Sequence, residues 1–437
     1  MTQNVQRLAI LCGGGPAPGI NSVIGAATIR AVLDDVEVLG IRDGFRWLMQ
    51  GDIDHVGRLS IEDVSRIHFN GGSYLGISRA NPTKDARHLE AVSNALAQLG
   101  VDGLITIGGD DTAFSALQLA AHSDGRLRVV HVPKTIDNDL DLPHGISTFG
   151  FQTARHVGVE ILKNLMVDAR TTGRWYLLVT MGRKAGHLAL GIGKAAGATL
   201  TIIPEEFPAG PIRLDHVADI LVGAIVKRLS AGRVDGTAVL AEGIVERLAP
   251  EDLASFGQLE RDEHEHLRLG EVDLGHVVKV RVRDRLAELG LTPTLVSKDI
   301  GYELRCADPI PFDMEYTRDL GYCAATYLLD GGRDAMATLV DGHFVPMPFS
   351  QMLDPETGRT RVRLVDTGTE QYQVARRYMV RLSQADLDDP QTLAALAGAV
   401  SLAPEAFRAR FEPVVASAPV RGPRPDLVDA LHGAPLR

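Results

Sequence analysis

Two apolar stretches, Leu104 to Ile107 and Val129 to Val132, each run directly into a loop of glycine, carboxylate and hydroxyl residues. The first loop reads Gly108-Gly109-Asp110-Asp111-Thr112 and the second Pro133-Lys134-Thr135-Ile136-Asp137-Asn138-Asp139. No other feature of the chain restricts its fold as much. Short aliphatic runs of this length are strands, and successive strands that end in polar loops are what a parallel sheet delivers at its carboxyl edge. Such loops can supply metal ligands, a base and phosphate contacts, so the pair points to phosphoryl transfer.

The same alternation extends along the sequence. Leu8 to Leu11 reads as a strand, followed by a glycine loop and a helical pattern from Ile20 to Leu33. A helix is expected from Ala113 to Ala121 and a long one from Phe151 to Val167. Beyond these come a strand from Trp175 to Met181, a helix from Gly186 to Ala195, a strand from Thr199 to Ile203, a helix from Asp215 to Leu229 and a strand from Thr237 to Leu240. The pattern predicts an α/β fold with largely parallel sheets and a second α/β domain starting near residue 150. A proline-containing stretch, Asp308-Pro309-Ile310-Pro311, precedes a further helix around Tyr316 to Leu329. Past Pro404 the patterning weakens, which reads as an extension docked on the core rather than a separate module.

Composition narrows the function classes. At 437 residues, with 45% hydrophobic and 23% charged residues, the chain can bury the cores of two or three domains. Its net charge of -11 argues against a general nucleic-acid surface, so any anionic ligand must be met by local basic residues. Three cysteines, Cys12, Cys306 and Cys323, share no paired metal spacing and favour reduced thiols in the cytoplasm. No apolar run is long enough to suggest a membrane span.

In Cys12-Gly13-Gly14-Gly15-Pro16-Ala17-Pro18-Gly19-Ile20-Asn21 the glycines let backbone amides approach an anion while the next helix points its amino end there. Tight packing alone can also demand such a turn, and the pattern is neither Gly-x-Gly-x-x-Gly nor a P-loop. Adjacent carboxylates at Asp110 and Asp111 are costly unless a cation or basic group neutralises them, and Mg²⁺ held with water and substrate phosphates would do so. Asp137 and Asp139 can share one side of an extended loop with Thr135, although Asx turns around Asn138 would account for the same residues.

These segments, taken with Gly71-Gly72-Ser73-Tyr74-Leu75-Gly76 and Arg79, Met181-Gly182-Arg183, Ala241-Glu242-Gly243 and Gly301-Tyr302-Glu303-Leu304-Arg305, resemble the 6-phosphofructokinase family over most of residues 7 to 345. The resemblance implies two Rossmann-like domains. It places a phosphate-donor domain at residues 1–149, completed by about 306–350, a fructose 6-phosphate domain at 150–305, and an extension at 351–437 packing on the core. ATP-using members usually carry glycine where this chain has Asp111 and where it has Lys134, so the chain resembles the pyrophosphate-dependent type. The physical reason is that a carboxylate at 111 would oppose an α-phosphate sterically and by charge.

Roles carried over by this resemblance are as follows. Asp137 is the base that takes the proton of the sugar 1-hydroxyl, and Arg183 stabilises charge on the transferring group. Asp110 holds Mg²⁺; Gly14, Arg79, Asp111, Thr112 and Lys134 form the donor site, with Asp111 and Lys134 setting donor selectivity. Thr135, Asp139, Met181, Gly182 and Glu242 orient the sugar, while Tyr302 and Arg305 grip its 6-phosphate; many members have histidine at the Tyr302 position. Arg174, seven residues before Met181, matches an arginine that reaches the neighbouring subunit's site, which implies a homodimer or homotetramer. Lys298 is a second cross-subunit candidate but is out of register. An ATP-dependent phosphofructokinase and a non-catalytic regulatory subunit are the alternatives, and intact Asp137, Asp139 and Arg183 argue against the latter.

Other features are expected to be structural. Glu260 to His266 reads as a solvated charged run. Trp47 and Trp175 read as packing residues, Cys12 as a small buried thiol, and His187 as the start of a helix.

Overall fold

In the computed structural model, which describes residues 5–143, 145–256, 272–356 and 360–416, the chain divides into two compact units. One comprises Met1–Val157 with Tyr302–Arg363, the other Gly158–Gly301 with Leu364–Arg437. The charged run Glu260 to His266 lies outside the described residues.

The first unit is built on an eight-stranded sheet. Its strands are β1 (Arg7–Cys12), β2 (Glu37–Ile41), β3 (Val56–Arg58), β4 (Gly103–Gly108), β5 (Arg128–Thr135), β6 (Phe149–Gly150) and two short later strands, Ala335–Met336 and Met347–Pro348. The central pairs β2-β1, β1-β4 and β4-β5 are parallel, whereas β2-β3 and the pairing of Ala335–Met336 with Met347–Pro348 are antiparallel. Strands β1 and β4 are buried along almost their whole length, as sheets covered on both faces require. One face carries a core of Leu8, Ile10, Ile20, Ile24, Ile105 and Leu328, the other a core of Leu11, Phe45, Leu104, Leu119 and Val129.

In the second unit the sheet is entirely parallel. The strands β7 (Trp175–Thr180), β8 (Leu200–Ile202), β9 (Gly236–Ala241) and β10 (Leu295–Ile300) pair in the order β10-β7-β9-β8. Its core joins Trp175, Leu177 and Leu240 to the helix Leu214–Ser230, and also takes in Leu387, Leu396, Phe407 and Phe411 from the end of the chain. The terminal helices as far as Ala416 are therefore part of this unit's core. A buried carboxylate anchors them: Glu206 accepts from Tyr372 Oη at 2.8 Å and from Arg381 Nη2 at 2.8 and 3.0 Å.

Two details differ from the sequence expectations. The helix expected from Ala113 begins at Asp110, because Gly109 in an extended conformation serves as its N-cap and two acidic side chains in the first turn favour the positive end of the helix dipole. Trp47 is only half-buried, stacking on His55 at 4.0 Å and donating to Asp43 at 3.0 Å, while Trp175 is buried as expected.

Candidate active site

In the first unit the glycine loop is pinned where β1 and β4 end. Gly13 N donates to Ile107 O at 2.9 Å and Gly14 N to Ser78 O at 2.8 Å, so the residue before Arg79 is bonded to the loop itself. Gly14 has φ of +82°, a left-handed conformation that disfavours any other residue. A Cβ on Gly13 would stand 2.5 Å from Thr112 Oγ1, and one on Gly108 would stand 2.4 Å from the same oxygen. Thr112 is accordingly buried beneath the loop.

Lys134, the next-to-last residue of β5, stands beside this cradle. It is 4% exposed and donates to the carbonyl of Gly15. Burial pushes its ammonium down from the ordinary 10.5 to about 8; Cys12 and Asp137 oppose that shift, and Arg305 and Arg79 add to it. Asp111 lies exposed on the first turn of the helix Asp110–His122, where its amide donates to Asp110 Oδ1 at 2.9 Å. Cys12 is fully buried and its thiol is pushed up to about 12 by desolvation, consistent with a packing role.

The segment Thr135 to Asp139 forms a fixed turn. Asp137 N donates to Thr135 Oγ1 at 3.0 Å, and Asn138 takes the left-handed φ of +57° that asparagine tolerates better than most residues. Thr148 N donates to Asn138 Oδ1 at 3.0 Å, and Thr148 Oγ1 to Thr135 O at 2.7 Å. Arg363 and Thr148 were not singled out by sequence reasoning, since neither belongs to a motif and Arg363 lies 225 residues from Asn138.

Tyr302 and Arg305, expected with the 150–305 half, belong to the first unit. Arg305 stacks over the Tyr302 ring at 4.6 Å, and its Nη1 would stand 3.4 Å from a Cβ on Gly15. Its Nε is buried and has no hydrogen-bond partner among the described residues. The arginine expected on the sugar's phosphate thus stands at the glycine loop, alongside Lys134.

In the second unit Met181, Gly182 and Arg183 follow β7 at its carboxyl edge, beside Glu242 and Gly243 after β9. Gly182 N donates to Glu242 Oε1 at 3.1 Å, and Gly182 has φ of +140°. Any Cβ on Gly243 would stand 2.6 Å from Arg183 O, and one on Gly301 would stand 2.3 Å from Met181 Cγ. Burial raises the Glu242 carboxyl to about 7; Gly182 N–H and Arg183 oppose that shift, while Glu246 and Asp299 add to it. Glu205, also missed, accepts from Gly186 N at 2.8 Å and Val365 N at 3.0 Å, fixing the end of this loop where the helix His187–Ala196 begins.

Arg174 is not brought to this edge. It immediately precedes β7, so the whole strand separates it from Met181. Its Nε lies 3.8 Å from Asp168 Oδ2, beyond hydrogen-bond reach, and is buried. Lys298 is exposed on β10.

Among the described residues no group of three or more histidine, cysteine, aspartate or glutamate side chains could hold a metal. The oxygens offered near the cradle are the carboxylates of Asp110 and Asp111, a donor set that fits Mg²⁺, which keeps waters and substrate phosphates around one or two carboxylates. No helix among the described residues is long and apolar enough to cross a membrane.

Parallel sheets whose strand ends hold a glycine cradle, a buried lysine and several carboxylates define an α/β protein built to handle phosphates. The chain belongs to the phosphofructokinase family, whose sequence profile matches residues 7–328. It is 54% identical over 411 residues to the pyrophosphate–fructose 6-phosphate 1-phosphotransferase of Thermotoga maritima, covering 93% of this chain and 98% of that one. It is 47% identical over 422 residues to the enzyme of the same name from Naegleria fowleri, covering 94% and 97%. The fold matches that of the pyrophosphate-dependent phosphofructokinase from Nitrosospira multiformis, with a TM-score of 0.65 at 16% identity over 85% of this chain and 90% of that one. Against Pichia pastoris phosphofructokinase in the T-state the TM-score is 0.64 at 20% identity; that match covers 94% of this chain and 39% of the larger one.

Proposed function

We propose that this protein transfers a phosphoryl group from pyrophosphate to the 1-hydroxyl of fructose 6-phosphate, reversibly, giving fructose 1,6-bisphosphate and phosphate in glycolysis. The observation that carries the reading is the 54% identity, over 93% of this chain, to a relative named for that reaction. The geometry agrees with it at Lys134, a buried cation at a glycine cradle, with Asp111 on the adjoining helical turn.

In this reading the first unit binds pyrophosphate through Gly14, Arg79, Thr112 and Lys134. Asp110 would hold Mg²⁺, which would supply charge neutralisation for the donor phosphates. Asp137 takes the proton from the 1-hydroxyl as that oxygen attacks the near phosphorus in line, and the bond to the departing phosphate breaks. Arg183 balances charge on the transferring group. Thr135, Asp139, Met181, Gly182 and Glu242 orient the sugar; Tyr302 and Arg305 hold its 6-phosphate. Arg174, a full strand away from Met181, serves the site of a neighbouring subunit, so the working protein is a homo-oligomer. A cytoplasmic location accompanies this reading.

The test is an assay of purified protein with fructose 6-phosphate, Mg²⁺ and either pyrophosphate or ATP. Fructose 1,6-bisphosphate should form with pyrophosphate and far more slowly with ATP. Turnover with ATP alone would replace the donor assignment, and inactivity with both would favour a regulatory subunit.

A further inference from the structure

Arg363 stands outside every motif named above, yet both its side chain and its backbone bond to the Thr135–Asp139 turn. Its Nε donates to Asn138 O at 3.1 Å, its Nη2 to Asn138 Oδ1, and its Nη1 to Ile146 O at 2.7 Å. Its own backbone N donates to Asp139 O at 2.8 Å. An isolated antiparallel bridge between Leu140 and Val362 sets the register that makes these contacts possible.

The planar guanidinium has donors pointing in fixed directions, and here they meet two oxygens of Asn138 within the turn and the carbonyl of Ile146 beyond it. Asn138 sits at the left-handed φ of +57°, less favourable than the right-handed region even for asparagine, and two of these bonds fall on it. Burial lowers the pKa of Arg363, and the carboxylates of Asp139 and Asp141 offset that effect. A residue that keeps a charge half-buried for the sake of backbone oxygens is defining where the turn lies.

We propose that Arg363 is a positioning residue for phosphoryl transfer: it fixes the turn so that Asp137 meets the hydroxyl it deprotonates, without itself touching substrate. This inference rests on the reading of Asp137 as the base. A misplacement of about 1 Å in a reacting group costs on the order of 10²-fold in rate, which sets the size of effect to look for.

The experiment compares steady-state rates with pyrophosphate and fructose 6-phosphate for wild type, Arg363→Gln, Arg363→Lys, Asp137→Asn and the Arg363→Gln/Asp137→Asn pair, with melting temperatures measured in parallel. Arg363→Gln should lower kcat by about 10- to 100-fold and leave the KM for pyrophosphate nearly unchanged. Arg363→Lys keeps the charge and the aliphatic stem but cannot reach three acceptors, so it should fall between wild type and Arg363→Gln. In the Asp137→Asn background the Arg363→Gln loss should largely disappear, because there is no base left to position. An equal loss in both backgrounds, or wild-type kcat in folded Arg363→Gln, overturns the proposal. Should Arg363→Gln fail to fold, wild-type kcat in Arg363→Lys has the same force. Wild-type turnover in Asp137→Asn would instead refute the base assignment, and inactivity of the wild type would refute the reaction.

Discussion

Lys134 donates its ammonium proton to the carbonyl of Gly15, 119 residues earlier in the chain, and so ties the end of β5 to the glycine loop after β1. The bond places a buried positive charge at a cradle lined by Gly14 and leaves that charge only weakly held, since burial brings its pKa to about 8.

This gives a pH dependence for donor binding. The KM for pyrophosphate should rise as pH increases above about 8, because the lysine loses the proton that attracts the anion. Lys134→Met should bind pyrophosphate weakly and show a flatter profile. Stability runs the other way: between about 8 and 10.5 the unfolded chain holds a proton that the folded chain lacks, so stability rises with pH across that window. Denaturant midpoints of wild type and Lys134→Met between pH 7 and 10.5 check the sign, and a wild-type midpoint that falls relative to the mutant contradicts it.

Donor choice should respond to Asp111 and Lys134. A carboxylate facing an α-phosphate at an effective dielectric near ~20 is worth up to several kcal/mol, enough to exclude a nucleotide. Asp111→Gly should admit ATP, and Asp111→Gly with Lys134→Gly should favour ATP further while weakening pyrophosphate use. Initial rates with both donors decide the matter; folded variants with no gain of ATP activity would place donor selectivity elsewhere.

Glu242 should make sugar binding pH-sensitive near neutrality. Its carboxyl is raised to about 7, so it gains its charge across the physiological range and becomes a stronger acceptor for sugar hydroxyls as pH rises. The KM for fructose 6-phosphate should fall between pH 6 and 8 on that account, and Glu242→Gln should lose the slope. Because the folded pKa lies above the unfolded 4.5, the contribution of Glu242 to stability decreases as pH rises from 4.5 through 7. Parallel profiles in wild type and Glu242→Gln would show that another group titrates.

Arg174 can be tested by complementation. Asp137→Asn chains and Arg174→Ala chains, each deficient alone, should recover activity when subunits exchange, because one hybrid site would combine an intact Asp137 with an intact Arg174. Demonstrated exchange without recovery would confine Arg174 to its own chain.

The sequence by itself determined the sheet architecture and most of the proposed site. Strand runs such as Leu104 to Ile107 are local apolar patterns, and glycines such as Gly14 and Gly182 advertise backbone conformations that other residues avoid. What depended on distant packing was not legible. Arg363 meets Asn138 across 225 residues, Tyr302 and Arg305 fall in the first unit because the chain returns to it, and Lys134 turns to the carbonyl of Gly15. A hydrogen bond leaves no periodic trace in sequence, because any arginine or lysine can serve wherever the fold brings a carbonyl within reach. The start of the helix at Asp110, by contrast, follows from neighbouring residues, Gly109 as its N-cap and two acidic side chains in the first turn, which the apolar periodicity from Ala113 does not register.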